Sequence, residues 1–125
     1  MKILIAEDND VNRVLIRKIF ERLNLPYDMA INGIQAFEAF DKKFYDIVFM
    51  DIEMPGMDGF EAAKKIREKY NNQGKQPFIV ALTANSLPGE RQHCLDNGMN
   101  EYLPKPFSAA DVQRMVDKAG ENYLR

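Results

Sequence analysis

Asp46-Ile47-Val48-Phe49-Met50 runs without a break into Asp51. From Ile47 to Met50 no side is polar, so a strand here must be covered on both faces. That is the mark of a parallel sheet with helices above and below it. Upstream, Ile3-Leu4-Ile5-Ala6 reads as a second buried strand and stops abruptly at Glu7-Asp8-Asn9-Asp10. Val11, Leu15, Ile19 and Leu23 then recur every fourth residue, a helical stripe that ends before Pro26. Residues 27–31 suit a strand, and Asn32-Gly33 opens a helix carrying Ile34, Phe37 and Phe40.

Downstream of Asp51, Asp58 and Glu61 have capping-box spacing, and Phe60, Ala63, Ile66 and Tyr70 continue the helix that follows. Phe78-Ile79-Val80-Ala81-Leu82 is a further strand. A helix is predicted over 86–97 with Gly98 as its stop, and Tyr102-Leu103 is a short last strand. Ser108 and Asp111 repeat the capping-box spacing before a final helix ending near Gly120. The pattern is β-α five times over, an α/β chain with a doubly wound, five-stranded parallel sheet. At 125 residues it makes a single domain, 1–125.

In such sheets ligands bind beyond the carboxyl ends of the strands. The residues there are Glu7 and Asp8 after the first strand, Asp51 after the third, Thr83 after the fourth and Lys105 after the fifth. An acidic pair at one strand end is ordinarily a helix cap, and a lone lysine a surface charge. Capping does not account for chemistry-bearing groups after four different strands. Adjacent carboxylates raise one another's pKa unless a cation separates them. Mg²⁺ suits the conflict, since it takes one or two carboxylates, keeps waters and shares a phosphate. Asp51 could then attack phosphorus as a nucleophile, with Lys105 offsetting charge and Thr83 donating a hydrogen bond. Gly56 and Gly59 suit the turn after Asp51, while His93 and Cys94 have no partner spacing for a metal and read as structural.

Composition narrows the classes further. Hydrophobic residues are 46% and charged residues 29%, a globular balance, and the net charge of -2 gives no electrostatic case for nucleic acid or anionic membrane. The one cysteine cannot form an internal disulfide. No apolar run approaches the ~20 residues that span a bilayer. The expected location is the cytoplasm.

Four motifs, in order, carry a resemblance. They are Ala6-Glu7-Asp8-Asn9, then residues 50–59 (Met50-Asp51-Ile52-Glu53-Met54-Pro55-Gly56-Met57-Asp58-Gly59), then Ala81-Leu82-Thr83-Ala84, then Tyr102-Leu103-Pro104-Lys105-Pro106-Phe107. With them the chain resembles the receiver domain of two-component response regulators over nearly its whole length. The resemblance implies a flavodoxin-like topology with strand order 2-1-3-4-5. It implies that Asp51 accepts a phosphoryl group from a histidine kinase or histidine phosphotransfer protein. It makes Asp8 a direct Mg²⁺ ligand, Glu7 one acting mostly through water, and Asp51 and the backbone carbonyl of Glu53 further ligands. Thr83 and Lys105 would contact the phosphoryl oxygens, Thr83 and Tyr102 would form the switch, and Lys105-Pro106 would be cis. Glu53 and Asn85 occupy positions that tune dephosphorylation in that family. Asp10-Val11-Asn12-Arg13 and residues 80–85 are similar to receivers that work with hybrid sensor kinases.

On this reading the domain is not an enzyme acting on a separate substrate; it catalyses its own phosphorylation and dephosphorylation. It would pass its state to a downstream protein partner as a monomer or a weak, phosphorylation-dependent dimer. Val11, Val14 and Leu15 on the first helix are candidate contacts for the phosphoryl donor. A Mg²⁺-dependent phosphatase is the rival of the enzyme class. It usually needs an acid Asp two residues after the nucleophile, where this chain has Glu53, and a cap domain. A flavin or nucleotide carrier is disfavoured by the acidic, glycine-free turn at residues 7–10.

Overall fold

The computed structural model describes residues 1–71 and 73–123. Five strands and five helices alternate: β1 (Ile3–Ala6), α1 (Asp10–Arg22), β2 (Asp28–Ala30), α2 (Gly33–Ala39), β3 (Ile47–Asp51), α3 (Gly59–Lys69), β4 (Phe78–Thr83), α4 (Glu90–Asp96), β5 (Glu101–Pro104) and α5 (Ala109–Tyr123). All strand pairs are parallel and the sheet order is β2-β1-β3-β4-β5.

Successive side chains of a strand point to opposite faces, and the core divides accordingly. Ile3, Ile5, Ile47, Phe49, Val80 and Leu82 face Ile16 and Phe20 of α1 and Val112, Met115 and Ala119 of α5. Leu4, Ala6, Val48, Met50, Ile79 and Ala81 face the other way, onto Ala36 of α2, Phe40 just after it, Ala63 and Ile66 of α3 and Cys94 of α4. β1, β3 and β4 are buried along their whole lengths, as unbroken apolar runs require.

Helix starts follow the capping residues. Asn9, Asn32 and Asp58 each accept a hydrogen bond from the backbone N–H three residues on. Before α5 the box is reciprocal: Ser108 N–H donates to Asp111 Oδ2 at 2.9 Å, and Asp111 N–H donates to Ser108 Oγ at 3.2 Å. Gly98, in the left-handed region at φ 93°, ends α4.

Several elements differ from the sequence reading. The core face of α1 is Ile16 and Phe20, whereas Val11 and Leu15 are exposed at 67% and 54%. The four-residue stripe runs along the shoulder of the helix, with only Ile19 and Leu23 packed on the core. Ile34 is exposed as well. α4 begins at Glu90, four residues later than the predicted start, because Pro88 precedes Gly89, which takes φ 90°. α5 runs on through Gly120 to Tyr123, and β2 is only three residues long.

Candidate functional site

The register of the sheet sets the depth of each strand end. Ala6 pairs with Met50, Asp51 with Leu82, and Thr83 with Pro104. The residues just beyond these levels therefore meet at one edge: Glu7 and Asp8 from β1, Asp51 at the end of β3, Thr83 at the end of β4, and Lys105 after β5.

Glu7, Asp8 and Asp51 each offer a carboxylate oxygen, and the three oxygens lie within 4.8 Å of one another. Glu7 is fully buried and Asp51 is 4% exposed, while Asp8 opens partly to solvent. Lys105 Nζ donates to Glu7 Oε1 at 2.7 Å and stands 3.3 Å from Asp51 Oδ2. The second oxygen of each carboxylate is taken by backbone. Asn9 N–H donates to Glu7 Oε2 at 3.2 Å, and Glu53 N–H donates to Asp51 Oδ1 at 3.0 Å.

Burial pushes the Asp51 carboxyl up to about 7, the Glu7 hydrogen bond and charge add to it, and the Glu53 N–H and Lys105 oppose it. Burial also raises Glu7, but hydrogen bonds from Asp51, Lys105 and Asn9 N–H outweigh it and hold Glu7 below the usual range. Crowding of the two buried carboxyls thus falls on Asp51, whose charge is the harder to hold without a cation. For Lys105, burial disfavours the charge, yet the two carboxylates outweigh burial and keep it an ammonium. An all-oxygen set of three carboxylates, one of them facing solvent, suits a hard divalent cation that keeps waters. Such an ion would favour the charged form of Asp51.

Thr83 is fully buried. Its Oγ1 accepts from Asn85 N–H at 2.9 Å. Tyr102, beside Ala81 in the sheet, is half-buried against the core on the α2–α4 side. The Lys105-Pro106 bond is cis. All the residues singled out at the strand ends thus come together at one edge; Glu53 lies one loop residue beyond Ile52 with its side chain exposed.

Two contributors were missed by the sequence reading. Arg13, one turn into α1, donates through Nη1 to the carbonyls of Glu7 at 3.0 Å and Asp8 at 2.8 Å, and its other arm pairs with Asp10. A lone arginine on a polar helix face carries no signal of this. Gly59 is not a turn residue but the first residue of α3. A Cβ there would meet Ile52 Cα at 2.6 Å, so α3 can press on the Asp51 loop only without a side chain.

Comparison with known proteins meets this geometry. A model of the family described as "Response regulator receiver domain" matches residues 3–117. Hybrid signal transduction histidine kinase B of Dictyostelium discoideum is 42% identical over 120 residues, covering 89% of this chain and 6% of that protein. The chain spans 6% to 15% of the length of the curated relatives it matches. The receiver domain of sensor histidine kinase PA1611 from Pseudomonas aeruginosa, solved with a magnesium ion coordinated in its active-site cleft, is 39% identical. It superposes with a TM-score of 0.82 over 94% of each chain. A chain in the co-crystal structure of the Saccharomyces cerevisiae histidine phosphotransfer protein Ypd1 with the receiver domain of Ssk1 is 29% identical. It has a TM-score of 0.82 over 97% of this chain and 87% of that one.

Proposed function

The chain belongs to the response regulator receiver domain family, and on that premise we propose that residues 1–125 act as one phosphoacceptor switch in a phosphorelay. The observation that carries the proposal is the meeting of three carboxylates and the Lys105 ammonium at a single sheet edge. Asp51 is the acceptor. Its carboxylate oxygen attacks phosphorus of a phosphohistidine, an O–P bond forms as the P–N bond breaks, and the imidazole leaves with its ring electrons restored.

The cation that fits is Mg²⁺, held by the carboxylates of Glu7, Asp8 and Asp51 and by the carbonyl of Glu53. When bound, it offsets negative charge on the transferring oxygens. Lys105 is already charged and beside Asp51, so it neutralises a phosphoryl oxygen without any proton transfer. Thr83 gives its hydroxyl to another. Tyr102 then turns as Thr83 moves, and the surface around β5 changes for a downstream partner. Glu53 and Asn85, at the positions that tune dephosphorylation in this family, set how long the phosphoryl group lasts, Asn85 once its side chain is freed from the loop, and the domain's own residues catalyse both its gain and its loss.

The donor is a histidine kinase or histidine phosphotransfer protein. Support comes from exposed Val11, Val14 and Leu15 on α1, beside a groove of about 380 Å³ lined by Leu15, Ile16, Ile19, Pro106 and Phe107. The net charge of -2 agrees with a protein partner and not a nucleic acid. Among the described residues no helix is long and apolar enough to cross a membrane; we place the domain in the cytoplasm, as a monomer or a weak dimer formed on phosphorylation.

The test is phosphoryl labelling followed by mass. Wild type with Mg²⁺ takes up one phosphoryl group from acetyl phosphate and from a phosphohistidine protein, and EDTA blocks both. Asp51→Asn loses both while keeping its circular dichroism. Equal labelling of the variant would overturn the assignment.

A further inference from the structure

We infer that Glu90, the first residue of α4, is a positioning residue for the switch: it latches the side chain of Asn85 and so adds to the cost of moving Thr83. The inference rests on the function proposed above.

The geometry is a continuous chain of hydrogen bonds. Asn85 N–H donates to Thr83 Oγ1 at 2.9 Å, and the Thr83 hydroxyl has Asn85 carbonyl oxygen as its acceptor at 3.4 Å. The Asn85 side chain is spent on the loop. Its Oδ1 accepts from Leu87 N–H at 3.0 Å, and its Nδ2 donates to Glu90 Oε2 at 3.1 Å. The other Glu90 oxygen lies 3.8 Å from the buried Cys94 Sγ. α4 has no capping side chain at Gly89, so these bonds tie its first turn to β4.

A buried hydroxyl that turns to a phosphoryl oxygen must leave the Asn85 carbonyl, and Asn85 N–H loses its acceptor where Oγ1 itself moves toward the phosphate. A loop pinned at both ends of the Asn85 amide cannot follow freely. The resting latch therefore opposes activation, and it also keeps Asn85 from acting at the phosphate until it opens. Glu90 touches no reacting atom; it acts through Asn85.

Beryllofluoride with Mg²⁺, a phosphoryl mimic, is titrated against the protein and followed by NMR at Thr83 and Tyr102. Glu90→Ala should bind it about fivefold tighter than wild type, the worth of one hydrogen bond. Glu90→Gln keeps an acceptor oxygen and should return to the wild-type affinity. In an Asn85→Ala background, Glu90→Ala should change nothing further. Equal affinity of Glu90→Ala and wild type, failure of Glu90→Gln to restore it, or additive effects in the double variant would each overturn the latch. If wild type itself fails to bind beryllofluoride, the phosphoacceptor reading falls and takes the latch with it.

Discussion

The two sides of the site are held in different ways. On the β1–β3 side, Arg13 grips two consecutive carbonyls, Asn9 caps α1, and backbone N–H groups fix both buried carboxylates. On the β4–α4 side, a seven-residue helix starts without a side-chain cap and hangs on the Asn85 amide. Farther out, Glu101 on β5 is shared by Arg91 of α4 and Lys118 of α5. The inner side has backbone partners beside the Lys105 ammonium, whereas the outer side hangs on side-chain pairs. Reaction geometry needs the first and signalling needs the second, since an element that reports a change must be able to leave its place.

The contrast can be broken most forcefully at Gly59. Gly59→Ala would drive a methyl into the Ile52 backbone, and overpacking of that kind costs about 1–3 kcal/mol. The thermal midpoint should fall and Mg²⁺ affinity with it, because the Asp51 loop must shift; an unchanged midpoint would show the contact to be soft. Arg13→Ala comes next. Losing its two charged hydrogen bonds should destabilise the chain by about 1–2 kcal/mol and slow acetyl phosphate labelling, as the backbone that carries Glu7 and Asp8 loses its support. Loss of stability with full labelling would mean that Arg13 serves α1 alone. Asn9→Ala should cost about 1 kcal/mol in denaturant melts. A neutral result would make the inner side no better held than α4.

The smallest effect belongs to the outer side. Burial raises the Glu101 carboxyl, but Arg91 and Lys118 outweigh it and hold it below the ordinary glutamate value of 4.5. A group with a depressed folded pKa contributes stability above its unfolded pKa and loses it as pH falls through the folded one. Glu101→Gln should thus flatten the acid limb of stability below about pH 4.5 and lower stability at neutral pH by about 1 kcal/mol or less, since both partners are half-exposed. An unchanged acid limb would remove Glu101 from the comparison.

Most of this arrangement could be read from the residues because it depends on order along the chain. Apolar runs marked β1, β3 and β4, and in a parallel sheet their ends must share an edge, which gathers Glu7, Asp8, Asp51, Thr83 and Lys105 with no knowledge of contacts. Side-chain direction was less legible. Val11 and Leu15 are apolar like the buried Ile16 and Phe20, and two i, i+4 rows of apolar residues on one helix do not say which of them faces the sheet. The late start of α4 depended on Gly89 taking a left-handed conformation, which a glycine permits but does not announce. Arg13 acts on carbonyls five and six residues back, and Glu101 through Arg91 and Lys118 on two other elements, spacings that no helix or strand period encodes.

The sheet order puts β3 in the middle, with β1 and β4 paired on its two sides. Amide protons of such a strand are the last to exchange with solvent, because freeing them requires the whole sheet to come apart. On the proposed assignment, a phosphoryl group on Asp51 would be carried by the strand expected to open last. Fraying of β2 or β5 at the margins can loosen the surfaces that partners read without disturbing the acceptor itself, so the message can fluctuate on a fast clock while its record is kept on a slow one.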